Sequence, residues 1–248
     1  MGDGISMPSP IAFISDIHAN LPALKAVLAD IAEQGISEII CLGDVVGYGG
    51  QPAECVELLR EQKIVTLKGN HDAVVADGPM EDRGRGYMRI MWDWTEQALS
   101  FDQRCWLAEL PLTLERPGFQ AVHATLRHPG DWGYVLNAAQ ADLHFAHQTQ
   151  PLCFIGHTHR PAFWVAGEDA SRETSGQQSL IKDKPQLLNV GSVGQPRDGH
   201  PEACYLIYDA EAREVRWQRV RYDISAAQYA IEDAGLPLAF AERLSKGT

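Results

Sequence analysis

Three short apolar runs in the first 72 residues each end abruptly in acidic residues or histidines, and this pattern constrains the chain most. Ile11–Ser15 runs into Asp16-Ile17-His18, Glu38–Leu42 into Gly43-Asp44, and Ile64–Leu67 into Gly69-Asn70-His71-Asp72. Between the first two lies Leu21–Glu33, whose apolar residues Leu21, Leu24, Val27, Leu28 and Ile31 recur with a helical period. Asn20 suits its N-cap and Gly35 its stop. Pro52–Glu61, with Val56, Leu58 and Leu59, reads as a second helix. Strand, helix, strand, helix, strand calls for a parallel sheet. The unusual polar residues then sit beyond the C-terminal strand ends, where open α/β sheets place ligands.

A fourth example is Cys153–Arg160, CFIGHTHR. Two imidazoles two residues apart are unfavourable at the end of a buried strand unless both rings bind something. Asp72–Leu110 reads as mainly helical, and it includes the turn-rich stretch GPMEDRGRG, expected to be mobile. Leu112–Leu114 and Gln120–His123 suggest a hairpin around Pro117-Gly118. Ala138–His147 reads as a short helix, Leu152–Ile155 and Ala162–Val165 as strands, and polar Glu168–Lys184 as an exposed loop. Leu187–Val190, Ala203–Tyr208 and Val215–Val220 read as strands, the last two with antiparallel alternation. Ile224–Ala234 and Leu238–Leu244 read as closing helices. Neither an internal repeat nor a domain boundary is evident.

Composition narrows the function. A net charge of −12 disfavours nonspecific binding to nucleic acid or anionic membranes. No apolar run approaches the about 18 residues a membrane span needs. The first ten residues, MGDGISMPSP, lack the charge and apolar core of a secretory signal. Five scattered cysteines without a CxxC pair suit reduced thiols in a cytosolic, cytoplasmic protein.

The polar residues at strand ends are Asp16, His18, Asp44, Asn70, His71, Asp72, His123, His157 and His159. Any one alone reads as a cap, a turn former or a structural histidine. Together they exceed one tetrahedral site, and imidazole plus carboxylate suits Mn, Fe, Co, Ni or Zn rather than Ca or Mg. Two ions sharing a carboxylate would use the whole set.

In this order, D-x-H (Asp16, His18), G-D (Gly43, Asp44), G-N-H-D (Gly69–Asp72), a lone His123 and G-H-T-H (Gly156–His159) resemble the calcineurin-like metallophosphoesterase superfamily. Gly43–Gly49 (GDVVGYG) and Asn189–Arg197 (NVGSVGQPR) resemble its small stand-alone bacterial-type phosphatases and phosphodiesterases. The resemblance implies an α/β fold, a four-layer αββα sandwich of two mixed β-sheets flanked by helices. It implies one domain over 1–248 with a helical cap or insert around 73–110. It implies two divalent transition-metal ions. Asp16, His18, Asp44 and His159 would hold one, and Asp44, Asn70, His123 and His157 the other. A bridging hydroxide would attack phosphorus, His71 would contact the phosphate or leaving oxygen, and Asp72 would orient the His71 ring.

The substrate expected is a phosphomonoester or phosphodiester of a small molecule or nucleotide. Protein serine/threonine phosphatase and dinucleoside polyphosphate hydrolase are the alternatives, with a non-catalytic scaffold behind them. Protein phosphatases of the superfamily carry an Asp-Arg pair where this chain has Gly47 and Tyr48. Tyr48 and Arg197 are candidate substrate contacts, though Arg197 could instead pair with Asp198. Trp92, Trp94 and Trp132 could line a substrate rim or simply pack. Oligomeric state is not visible in the sequence.

Overall fold

The computed structural model describes residues 10–77 and 85–248. Nine of the first ten residues, read above for a secretory signal (1–9), and most of GPMEDRGRG (78–84) fall outside these described residues.

Eleven strands form two sheets among the described residues. The first combines β1 (Ile11–Ile14), β2 (Glu38–Cys41), β3 (Val65–Thr66), β8 (Gln177–Ser179), β10 (Ala203–Asp209) and β11 (Glu214–Val220), in the order β3-β2-β1-β10-β11-β8. Its β1, β2 and β3 are parallel and its other pairings antiparallel. The second combines β4 (Thr113–Arg116), β5 (Phe119–Val122), β6 (Leu152–Ile155), β7 (Ala162–Val165) and β9 (Gln186–Asn189), in the order β4-β5-β6-β9-β7. There β5, β6 and β9 run parallel and the edges antiparallel. Both sheets are therefore mixed.

Helices α1 (Leu21–Glu33) and α2 (Pro52–Glu61) make the two crossovers read from the sequence, and Asn20 caps α1 by accepting from the Ala23 N–H. The described part of the helical segment is α3 (Asn70–Ala76), α4 (Tyr87–Ala98) and α5 (Phe101–Glu109). α6 (Ala138–Phe145), α7 (Ile224–Asp233) and α8 (Leu238–Lys246) complete the set. One element was missed. Glu168–Lys184 is not all loop, because β8 pairs with β11 at the sheet edge. Its three residues, Gln-Gln-Ser, carry no apolar alternation, and only the neighbouring strand makes them extended.

Strand alternation separates three cores and hence four layers. Ala12, Ile14, Cys41 and Tyr205 face α1, α2, α7 and α8. Ile11, Phe13, Ile40 and Leu206 point the other way, against Phe119, Phe154, Phe163 and Leu188 of the second sheet. The back of that sheet, Val122, Cys153, Ile155 and Leu187, packs with Ala141 of α6. This is the αββα sandwich.

At the centre of the sandwich the Phe13 and Phe154 rings stack with centroids 3.8 Å apart, and Phe119 meets both edge-on at 5.4 and 5.6 Å. All three are fully buried. Phe154→Ala should therefore destabilise by about 3–5 kcal/mol. That corresponds to a fall of roughly 10 °C in the midpoint of thermal unfolding followed by circular dichroism. An unchanged midpoint would mean that the two sheets do not depend on this stack.

Candidate metal centre

The loops after β1, β2, β5 and β6 converge at one end of the sandwich and are sewn together by backbone hydrogen bonds. Asp16 N–H donates to Gly43 O, His18 N–H to Asp44 O and Gly156 N–H to His123 O. The close approach needs glycine. A Cβ on Gly69 would lie 2.2 Å from Asp44 Oδ1, and one on Gly156 would lie 2.0 Å from Ser15 Oγ. Five of the candidate ligands in these loops adopt left-handed backbone: Asp16 (φ 54°), His18 (49°), Asp44 (53°), His157 (65°) and His159 (59°). Such conformations cost a non-glycine residue energy and cluster where function over-determines the backbone.

Two clusters of donor atoms result, each within 4.8 Å: Asp16, His18, Asp44 and His159, and Asp44, His123 and His157. They share Asp44. Its Oδ2 lies 3.6 Å from His18 Nε2 and 3.3 Å from His123 Nε2, while its Oδ1 accepts the His71 backbone N–H at 2.8 Å. Asn70 joins the second cluster through Oδ1, 3.2 Å from His123 Nε2. Asp16 Oδ1 is 3.3 Å from His159 Nε2. All but Asn70 are buried.

The ring tautomers follow from the backbone. His18 Nδ1 lies 3.1 Å from Val46 O, His123 Nδ1 3.1 Å from Leu42 O, and His159 Nδ1 2.6 Å from Gln195 O. A carbonyl only accepts, so each Nδ1 carries hydrogen and each Nε2 is turned to the centre. This is the arrangement metal-bound histidines adopt. Burial above all, with nearby cationic groups, holds His18 and His159 well below the usual imidazole range. Their Nε2 atoms are thus bare lone pairs only 3.0 Å apart. Two acceptors in contact need a cation between or beside them. Buried Asp16 Oδ1 and His157 Nε2 have no hydrogen-bond partner either. The residues present fit metal ions on these grounds.

His123 behaves differently. Burial lowers it, but the Asp44 charge and hydrogen bond raise it more, to about 9. Asp44 would be raised by burial, yet His123 and His71 hold it well below the usual carboxylate range.

The sequence reading gives Asp72 the task of orienting the His71 ring, and the structure corrects this. Oδ2 of Asp72 accepts the N–H groups of Asp44 (2.8 Å) and Gly69 (3.0 Å), and Oδ1 those of Val45 (2.9 Å) and Val46 (3.3 Å). Its two oxygens are occupied by the loop that carries Asp44, and His71 Nδ1 has no partner. The His71 ring is instead walled by Tyr48, Trp92 and His18, at centroid distances of 4.8, 4.5 and 4.6 Å. A Cβ on Gly47 would strike His71 Nδ1 at 2.3 Å, so Gly47 gives that ring its room. Arg197 does not pair with Asp198, which binds Arg219. Its guanidinium bonds Gln195 Oε1 and lies 5.5 Å from the Tyr48 ring centroid. Trp92 is buried packing, Trp94 packs at the helical core, and the Trp132 ring is 6.0 Å from that of His123.

Sequence reasoning missed Tyr134. It is half-exposed and stacked on His157 at 4.1 Å. It lies between β5 and α6, where no motif marks it. Gln195 was missed as well, although it lies inside NVGSVGQPR.

A sandwich of mixed sheets with a shared-carboxylate His/Asp cluster at one end defines a metallophosphoesterase-type hydrolase. Residues 10–213 match the calcineurin-like phosphoesterase superfamily domain. The chain belongs to that superfamily and is a phosphoric ester hydrolase of it. It is 40% identical to the uncharacterised protein MJ0912 of Methanocaldococcus jannaschii, over 96% of this chain and 98% of that one. It is 27% identical to the phosphodiesterase YfcE of Escherichia coli K12, over 83% of this chain and 90% of that one. Among solved structures, a metallophosphoesterase from Sphaerobacter thermophilus superposes with a TM-score of 0.87 at 37% identity, covering 96% of this chain and 99% of that one.

Asp72→Ala would strand four buried N–H groups, each at a cost of about 1–3 kcal/mol. Chemical denaturation should show a loss of at least about 3 kcal/mol, with Asp72→Asn intermediate because one acceptor oxygen survives. A variant as stable as wild type would show that Asp72 does not hold the Asp44 loop.

Proposed function

We propose that the chain is a dinuclear-metal phosphoesterase hydrolysing phosphomonoesters or phosphodiesters of small molecules or nucleotides. The observation that carries this reading is the pair of donor clusters sharing Asp44, with bare, buried nitrogen and oxygen atoms turned to the centre. Asp16, His18, Asp44 and His159 would hold one ion, and Asp44, Asn70, His123 and His157 the other. Two divalent ions would supply Lewis acidity, positive charge for a phosphate, and water acidified towards a pKa of about 7.

The chain's own residues supply position and charge. His71 is fixed against the shared ligand because its N–H bonds Asp44 Oδ1. Burial first, with Arg197 and His123, outweighs Asp44 and lowers its ring to about 4. At neutral pH the ring is therefore uncharged, and it assists the departing oxygen by donating an N–H hydrogen bond rather than by giving up a full positive charge. Arg197 bears on Asp16, His18, His71 and His159 electrostatically and offers charge to a bound phosphate. None of these groups needs to form a covalent phosphoenzyme. Gly47 argues against the protein phosphatase alternative, since an aspartate there would collide with His71. Five free cysteines, four of them buried, agree with the cytoplasmic placement. No described helix is long and apolar enough to cross a membrane.

Chelated protein should lose hydrolysis of a chromogenic phosphoester and recover it with Mn²⁺; activity that persists without metal would sink the two-ion reading. A second expectation concerns pH. The His123 proton, bound up to about pH 9, must leave before the second cluster takes an ion. Affinity at that cluster should therefore fall about tenfold per unit as pH drops from 8.5 to 7.5. His18 and His159 carry no proton to displace there, so the first cluster should be much less sensitive. Chelator competition at the two pH values reads both slopes, and equal slopes would contradict the assignment.

A further inference from the structure

Beside the metal centre lies a concentration of positive charge, of which the reaction above uses only Arg197. α8 carries Arg243 to Tyr48. Its guanidinium lies 5.9 Å from the Tyr48 ring centroid, and that of Arg197 lies 5.5 Å from the same centroid. All three side chains are half-buried and reach solvent. Among the described residues neither arginine has an Asp or Glu side chain within ion-pairing distance. Arg197 has the Gln195 amide, and Arg243 Nε donates to Thr248 O at 2.7 Å.

Acidic residues outnumber basic ones by 33 to 21, and other arginines find carboxylates: Arg116 with Glu38, Arg172 with Glu168, Arg219 with Asp198. Asp198 directly follows Arg197 and still turns to Arg219. Burial and the charge of Arg197 make the Arg243 charge harder to hold. Two like charges are thus brought to one ring with no acidic side chain to pair them, and an anion would relieve them.

The ring between them is held at some cost. Tyr48 has φ 59°, a left-handed backbone that is unfavourable for a bulky residue. Phe240 of α8 packs edge-on against it at 5.3 Å, and on the inner side its ring meets His71 and His18. Tyr48 therefore joins the arginine pair to the residue placed at the leaving oxygen.

We propose that Arg197 and Arg243, gathered on Tyr48, form a subsite for a second phosphoryl group on the leaving-group side, so that the preferred substrate carries two adjacent phosphoryl groups. The inference rests on the phosphoesterase reading for the first phosphoryl group. For a phosphoanhydride, water oxygen bonds to the attacked phosphorus and the bridging P–O bond breaks. The electron pair stays on the departing phosphate, whose charge the two guanidiniums meet, and the water proton passes to solvent. Bidentate guanidinium contacts suit phosphate oxygens, and a lysine offers only a point charge.

The test compares metal-loaded wild type with Arg243→Gln and Arg243→Lys on inorganic pyrophosphate and p-nitrophenyl phosphate. Calorimetric binding of methylenediphosphonate and orthophosphate runs alongside, and thermal midpoints confirm folding. Arg243→Gln should lose at least about tenfold more kcat/KM on pyrophosphate than on p-nitrophenyl phosphate, mainly through KM, and Arg243→Lys should recover part of it. Diphosphonate should bind wild type more tightly than orthophosphate and lose that advantage in Arg243→Gln. Equal losses on both substrates, or none, overturn the subsite. So does a wild type that hydrolyses p-nitrophenyl phosphate yet neither hydrolyses pyrophosphate nor prefers diphosphonate, with the phosphoesterase reading intact. Protein inert on both substrates removes that reading instead, and the diphosphonate binding then decides the subsite alone.

Discussion

Asp44 is the point on which the candidate centre turns. One carboxylate oxygen faces two imidazoles from different sheets, and the other accepts the N–H of His71. Its backbone sits in the left-handed region, where an aspartate stays only if its surroundings compel it. The compulsion comes from Asp72, whose two oxygens take four N–H groups around Asp44 and Gly69, and from the glycine that lets the two loops touch. A buried carboxylate serving backbone amides thereby sets the place of a second buried carboxylate that serves the chemistry.

Much of this was legible in the sequence because it is local. An apolar run followed by Asp-x-His or His-x-His announces both a strand and what lies past its end. Antiparallel alternation was likewise readable along Ala203–Tyr208 and Val215–Val220, which pair as β10 and β11. What could not be read depends on contacts distant in the chain. Asp72 stands beside His71, and adjacency suggested a partnership, but three of the four amides it serves belong to a loop some 27 residues away. Tyr134 stacks on His157, and Arg243 reaches Tyr48, only after the sandwich has closed. β8 is three polar residues whose extension is imposed by β11.

The acidity of the chain also looks different once the site is located. A net charge of −12 argued against polyanions as partners. The global excess does not govern a small concave region, because burial and short distances weigh near charges far above remote ones. Arg197 and Arg243 weigh most beside Tyr48, and the acidic exterior then disfavours extended polyanions while small phosphate-bearing molecules can still enter.

The donors come from both halves of the sandwich. Asp16, His18 and Asp44 follow strands of one sheet, whereas His123, His157 and His159 follow strands of the other. With ions held as proposed, each would work as a rivet through the open end of two sheets otherwise joined by apolar side chains. Occupancy would then govern mechanical integrity as well as turnover: metal starvation would loosen the sheet junction where substrate enters, and repletion would tighten it. A cell's supply of transition metal would thus set how long such a molecule survives, not only how fast it works.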